Sequence, residues 1–214
     1  MSDLKELRKL YSEQGLSQKG VDRNPFSQFK IWFDQAVNSD TAEPDGMCLS
    51  TISSDGKPSQ RTVLMKAYDE NGFIFYTNHN SRKGIQLKEN TSVSALFPWL
   101  ALHRQIIIEG EVSRIDDEIS LAYFHSRPRG SQIGAWASRQ SQRLNSRCEL
   151  EEQIKAVEER FEGQPIPLPE FWGGYRIKPN RFEFWQGRNH RIHDRIIYHW
   201  SESEQAWKVE RLSP

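Results

Sequence analysis

The chain has 214 residues, sets 29 Lys and Arg against 29 Asp and Glu, and carries six histidines and two cysteines. A neutral total leaves no global field to recruit nucleic acid or an anionic membrane, and no apolar run approaches the roughly 18 residues of a membrane span. Cys48 and Cys148 form neither a disulfide framework nor a C-x-x-C pair. The first residues are charged and lack an apolar leader stretch. The expectation is a folded, cytoplasmic protein with reduced thiols and no metal site.

Residues 2–15 read as a charged helix with Leu4, Leu7 and Leu10 along one side, followed by a polar, mobile connector to Asn24. Asn24-Pro25 is a helix start, an N-cap with proline in the first turn. Phe26, Phe29, Trp32, Phe33, Ala36 and Val37 then recur at helical spacing, which predicts a core-facing stripe. From Met47 the pattern turns to strands. Residues 47–53 lead into Asp55-Gly56, a hairpin signal, and 60–68 form the return strand. Asn71-Gly72 marks a second turn before a strand at 73–77. Ser81 caps a helix at 82–89. Strands follow at 92–97 and 103–114, then helices at 116–125, near 131–137, and at 147–162. A proline-rich connector at 164–169 precedes strands at 174–177, 181–185, 191–200 and 206–212. The early hairpins make antiparallel sheet, and no G-x-G-x-x-G follows a strand. The fold expected is mainly β with helical insertions, barrel-like, with a mobile N-terminal segment over 1–23. The single domain over 24–214 carries insertions at 116–162 and a C-terminal β part at 171–214.

Four clusters carry possible chemistry. Arg61-Thr62-Val63-Leu64-Met65-Lys66 puts a cation at each end of a strand; it suits a ligand with a phosphate and a flat ring, or two ordinary surface cations. Tyr76-Thr77-Asn78 with Ser81-Arg82-Lys83 joins a strand end to a helix N-terminus, where free N–H groups and basic side chains attract anions; a plain capped helix has the same signature. Between Glu118 and Glu149 no acidic residue occurs, while Arg127, Arg129, Arg139, Arg143 and Arg147 do. Such segregation suits phosphate recognition through charge-assisted hydrogen bonds; a small phosphorylated ligand fits better than nucleic acid, because the rest of the chain is not basic. Finally Arg191, His193 and Arg195 fall at alternate positions, which in a strand would line one wall. A solvated edge strand would show the same spacing. Trp99 and Trp136 are compatible with an interface.

These residues resemble the pyridoxine (pyridoxamine) 5'-phosphate oxidase family over nearly the whole length. The motifs are R-T-V-L-M-K at 61–66, F-Y-T-N at 75–78, S-R-K at 81–83, F-H-S-R-P-R at 124–129, S-Q-I-G-A-W at 131–136, F-W-G-G at 171–174, and E-F-W-Q-G followed by R-I-H-D-R. The resemblance implies an antiparallel, Greek-key-like split barrel binding FMN at the interface of a homodimer. It implies oxidation of pyridoxine or pyridoxamine 5'-phosphate to pyridoxal 5'-phosphate, with O2 as acceptor and hydrogen peroxide released. By motif, FMN contacts fall on Arg61, Thr62, Val63, Leu64, Met65, Lys66, Tyr76, Thr77, Arg82, Lys83, Gln105, Gln140, Ser141, Trp185 and Arg195. The substrate phosphate falls to Lys66, Tyr123, Arg127 and Ser131, and the substrate ring to Arg191 and His193. Arg8 and Tyr11 would be contacts of an N-terminal lid. Two rivals share parts of this pattern: a flavin- or deazaflavin-dependent reductase on the same barrel, and a non-catalytic protein that binds pyridoxal phosphate or flavin.

Overall fold

The computed structural model describes residues 15–214. The helix expected over 2–15, and with it Arg8 and Tyr11, lies outside the described residues. The elements in chain order are α1 Pro25–Val37, β1 Gly46–Ile52, β2 Pro58–Leu64, β3 Ala67–Asp69, β4 Gly72–Asn78, α2 Arg82–Glu89, β5 Ser92–Trp99, β6 Arg104–Arg114, α3 Asp117–Ser126, α4 Arg129–Ala137, α5 Arg147–Arg160, β7 Trp172–Gln186, β8 Asp194–Ser201 and β9 Ala206–Leu212. The strand order is β2-β1-β5-β6-β7-β4-β3, with β8 on β7 and β9 on β8. The β3/β4, β4/β7, β7/β8 and β8/β9 pairs are antiparallel. Mainly antiparallel sheet with helical insertions is therefore the architecture.

The chain divides into two compact units: one comprises the chain up to Leu49 with 94–110 and 179–214, the other 50–93 with 111–178. In the first, the Asn24 side chain accepts from the Phe26 N–H at 2.8 Å and opens α1 behind Pro25. Phe29, Trp32 and Ala36 are buried as the helical spacing predicts, whereas Val37 is 53% exposed, so the stripe ends one residue early, at Ala36. Phe26 meets Phe182 edge-on at 5.2 Å, and Trp32 meets Phe184 at 5.3 Å. Edge-to-face rings add to the burial of their area. Trp99 belongs to this core: it is buried and its Nε1 donates to the Pro44 carbonyl at 3.0 Å. The connector before α1 is tied down. The Leu16 N–H donates to the Asp194 carboxylate at 2.9 Å, Arg211 donates to the Leu16 carbonyl, and the Tyr198 hydroxyl donates to the Asp22 carbonyl at 2.6 Å.

In the second unit, Phe73 and Phe75 of β4 are fully buried. Gly72 opens β4 at φ +129°, and a Cβ there would lie 1.9 Å from the Ile177 carbonyl oxygen, so only glycine fits this turn. The helical insertion has its own core of Phe124, Ile133, Phe161, Ile166 and Trp172. Trp136 packs against Phe161 and Phe171, and its Nε1 donates to the Pro167 carbonyl at 2.8 Å. Both tryptophans that suited an interface thus serve internal packing. α5 buries no residue, as its charge density predicts.

Three strand expectations change. The strand expected over 60–68 breaks after Leu64 and resumes at Ala67; β2 and β3 stand at opposite ends of the strand order, so the break is where the chain leaves one end for the other. The strands expected at 174–177 and 181–185 are one, β7, running through Pro179. Residues 172–177 pair with β4 and 181–186 with β8, so the prolyl nitrogen, which cannot donate, falls between the two ladders. The strand expected from Arg191 begins only at Asp194, because His190 and Arg191 take left-handed φ values of +60° and +61°.

Candidate functional site

The second unit holds a cavity of about 500 Å³. β2 contributes Thr62, Val63 and Leu64, with Lys66 just beyond it; β4 contributes Tyr76, Thr77 and Asn78, and α2 contributes Lys83. Ser81 caps α2, its Oγ accepting from the Gly84 N–H at 3.3 Å. Gly84 lets this helix start close under the end of β4: a Cβ there would lie 2.2 Å from the His79 carbonyl oxygen. That approach buries Lys83 to 8% exposure. Its Nζ donates to Thr77 Oγ1 at 2.9 Å and to Gln140 Oε1 at 3.3 Å. Thr77 Oγ1 also donates to Gln140 Oε1 at 3.2 Å. Burial, and then the charge of Arg61, push the Lys83 ammonium down to about 8.

A second cation enters from α3 and α4. Tyr123 lies in the last turns of α3, Arg127 follows its end, and Ser131 opens α4; all three line the same cavity. Tyr76, Tyr123 and Trp172 present near-parallel rings, Tyr76 lying 3.8 Å from Tyr123 and 5.4 Å from Trp172 between centroids. The Arg127 guanidinium lies over Trp172 at 4.7 Å. Burial lowers its pKa, and its buried Nη1 has no hydrogen-bond partner among the described residues. Burial also raises the Tyr76 phenol, with Tyr123 adding to the shift.

The remaining residues singled out in this unit stand otherwise. Arg61 is outside the lining set and donates to Thr51 Oγ1 and Ser59 Oγ, both at 2.7 Å. Thr51 and Ser59 donate in turn to the buried Gln86 side chain at 2.6 and 2.8 Å. Met65 is buried, Arg82 is exposed at the start of α2, and Ser141 is exposed at φ +70°. Asn78, placed in the Tyr76-Thr77-Asn78 cluster without a ligand role, also lines the cavity, and four lining residues escaped sequence reasoning: Gly134, Ala135, Ser138 and Trp172. All but Ser138 sit inside the motifs quoted above, so the signal was present there.

The first unit holds Gln105, Trp185, Arg191, His193 and Arg195. Gln105 is half-buried in β6. The alternating wall expected of the last three is not what forms. Arg191 and His193 lie in the turn before β8, where the two-residue strand period does not apply, and only Arg195 is in the strand. His193 packs against Trp185 at 4.6 Å, and its Nδ1 accepts from the Arg188 N–H at 3.0 Å. Burial, and then the Arg191 charge, lower its pKa. Arg195 is committed to the buried Glu183, donating through Nε at 2.7 Å and Nη2 at 3.1 Å, and through Nη1 to the Ser213 carbonyl. Arg181 donates to the same carboxylate at 3.0 Å.

The donor set of the cavity fits phosphate-bearing ligands. Two cations, the buried Lys83 and the half-buried Arg127, pair with no carboxylate among the described residues, and one buried guanidinium nitrogen is unsatisfied. A buried cation without a counter-ion is costly, and a phosphate bound there would supply the missing charge.

Comparison with known proteins agrees with this chemistry. Residues 33–161 match the family model described as pyridoxamine 5'-phosphate oxidase. Residues 172–214 match the pyridoxine 5'-phosphate oxidase C-terminal dimerisation region. The chain is 50% identical to a pyridoxine/pyridoxamine 5'-phosphate oxidase of Rubrobacter xylanophilus over 99% of its own length and 97% of the relative's. It is also 50% identical to the protein of that name in Paraburkholderia phytofirmans, over the whole of both chains. Among solved structures it is similar to PhzG from Burkholderia lata, in complex with tetrahydrophenazine-1-carboxylic acid, with a TM-score of 0.88, 28% identity and coverage of 96% and 100%. A pyridoxamine 5'-phosphate oxidase-related protein from Nostoc punctiforme shares the fold at a TM-score of 0.71 and 16% identity, covering 94% and 100%. The fold is thus the split barrel of the pyridoxamine 5'-phosphate oxidase-like proteins. The chain belongs to the pyridoxine/pyridoxamine 5'-phosphate oxidase family.

Proposed function

We propose that this chain is an FMN-dependent oxidase. It converts pyridoxine 5'-phosphate or pyridoxamine 5'-phosphate to pyridoxal 5'-phosphate, with O2 as acceptor and hydrogen peroxide released. The observation that carries the reading is the presence in one cavity of two cations with no carboxylate partner among the described residues, the buried Lys83 and the half-buried Arg127. One suits the phosphate of a cofactor, the other the phosphate of a substrate.

In this reading Arg61, Thr62, Val63, Leu64, Met65, Lys66, Tyr76, Thr77, Arg82, Lys83, Gln105, Gln140, Ser141, Trp185 and Arg195 hold FMN. Lys66, Tyr123, Arg127 and Ser131 hold the substrate phosphate, and Arg191 and His193 address the substrate ring. Arg8 and Tyr11 remain proposed lid contacts. FMN, when bound, supplies an acceptor for the two electrons and hands them to O2. The protein's part is alignment and charge. Because His193 Nδ1 accepts a backbone hydrogen bond, its neutral imidazole carries the proton on Nε2. It therefore donates to the substrate's oxygen or nitrogen, which orients the ring without requiring His193 to be a base. The match of 172–214 to a dimerisation region supports a homodimer, and in this reading FMN lies at its interface. Cytoplasmic location fits the two free thiols.

The reading is tested by the visible spectrum. Purified protein, or protein reconstituted with FMN, shows a flavin band that bleaches when pyridoxine 5'-phosphate is added without oxygen and returns in air. A band unchanged by that substrate would leave a flavin-binding protein and remove the oxidase.

A further inference from the structure

We propose that Trp172 is a positioning residue for phosphate recognition: its indole face holds the Arg127 guanidinium so that all of that group's N–H edges stay available to the substrate phosphate. The inference rests on the assignment of Arg127 to that phosphate. The guanidinium carbon lies 4.7 Å from the Trp172 ring centre and 5.8 Å from that of Phe124. Trp172 is buried at 8% exposure and stacks with the Tyr76 ring at 5.4 Å between centroids, their planes within 11°.

The reason lies in how an arginine can be held. A carboxylate partner fixes a guanidinium by consuming its N–H edge, the same edge that reads a phosphate. It also leaves a negative charge that repels the incoming anion. An aromatic face stabilises the cation through its quadrupole and occupies only the flat side. The first option is not used: no acidic residue lies nearby in sequence between Glu118 and Glu149, and no carboxylate among the described residues hydrogen-bonds the Arg127 side chain. The structure supplies the second and leaves Arg127 Nη1 buried and unpartnered.

The test is steady-state kinetics of the holoenzyme with pyridoxine 5'-phosphate and with unphosphorylated pyridoxine, for Trp172→Leu, Trp172→Phe and Arg127→Gln. Trp172→Leu is expected to raise KM for the phosphorylated substrate by about tenfold, with kcat within about twofold, and Trp172→Phe by about two- to threefold. The loss with unphosphorylated pyridoxine should be several-fold smaller, a difference that a purely structural tryptophan would not produce. An unchanged KM in both Trp172 variants, beside a raised KM in Arg127→Gln, would overturn the inference and keep the phosphate assignment. Equal losses on both substrates would likewise overturn it. An unchanged KM in Arg127→Gln would remove the phosphate assignment, and the inference with it. Should Trp172→Leu fail to fold, Trp172→Phe decides: a KM raised about two- to threefold supports the role, and an unchanged KM rejects it.

Discussion

Glu183 takes the Arg195 guanidinium by two hydrogen bonds, from Nε at 2.7 Å and from Nη2 at 3.1 Å. The carboxylate is buried and also receives Arg181, whose Nη1 donates to Glu109 at 3.0 Å. Arg195 is thus a fixed charge, set by a carboxylate on the adjacent strand β7 rather than by the spacing of its own segment.

Glu183→Gln should destabilise the fold by about 2–3 kcal/mol, the low end for a broken buried pair because both arginines are partly exposed. Burial raises the Glu183 pKa, but the hydrogen bonds and charges of Arg195 and Arg181 outweigh it, and the net shift is downward. A carboxylate depressed in the folded state stabilises above its unfolded pKa and loses that contribution as pH falls through the folded value. Urea unfolding below pH 4.5 should therefore show a steeper acid loss in the parent protein than in Glu183→Gln.

Lys83 gives the same direction of pH dependence in a higher window, from a charged form that the fold disfavours rather than favours. Its pKa falls from the ordinary 10.5 to about 8, so between those values the unfolded chain binds more protons and the ligand-free protein gains stability as pH rises. A phosphate needs the ammonium, so FMN affinity for the apoprotein should fall as pH rises through about 8. Fluorescence titration with FMN at pH 7 and pH 9 checks this. Lys83→Gln should weaken FMN at pH 7 by about 10- to 100-fold and flatten the pH dependence.

Gly84→Ala tests how the site is built. Its Cβ would fall 2.2 Å from the His79 carbonyl oxygen, so α2 must shift and Lys83 with it. Overpacking of this kind costs about 1–3 kcal/mol. The thermal midpoint and the FMN content should fall together.

Arg191→Ala should lower kcat/KM by about 10- to 100-fold, the worth of a charge-assisted contact, while FMN stays bound. Parallel measurement of kcat/KM and flavin absorbance checks it; loss of flavin would move Arg191 into the cofactor site.

Much of this was legible in the sequence, and the exceptions have identifiable causes. α2 and β9 fall at 82–89 and 206–212, where a serine cap and an alternating pattern mark them. The grips at Lys83 and Arg127 were legible as basic residues beside a cap and in an acid-free stretch. The Arg191, His193, Arg195 wall was not, because two consecutive non-glycine residues at positive φ give no local signal in R-N-H-R. Trp172 was hidden for a different reason: its role depends on Arg127, 45 positions earlier in the chain. Pro179 divided β7 on paper because a proline's lost hydrogen bond shows in sequence, and the gap between its ladder partners does not.

The most direct measurement is the aerobic stoichiometry of the purified, FMN-loaded protein with pyridoxine 5'-phosphate. The oxidase assignment predicts one hydrogen peroxide and one pyridoxal 5'-phosphate for each substrate consumed. A protein that stays colourless after FMN is added, or a yellow one that yields neither peroxide nor aldehyde, would contradict it.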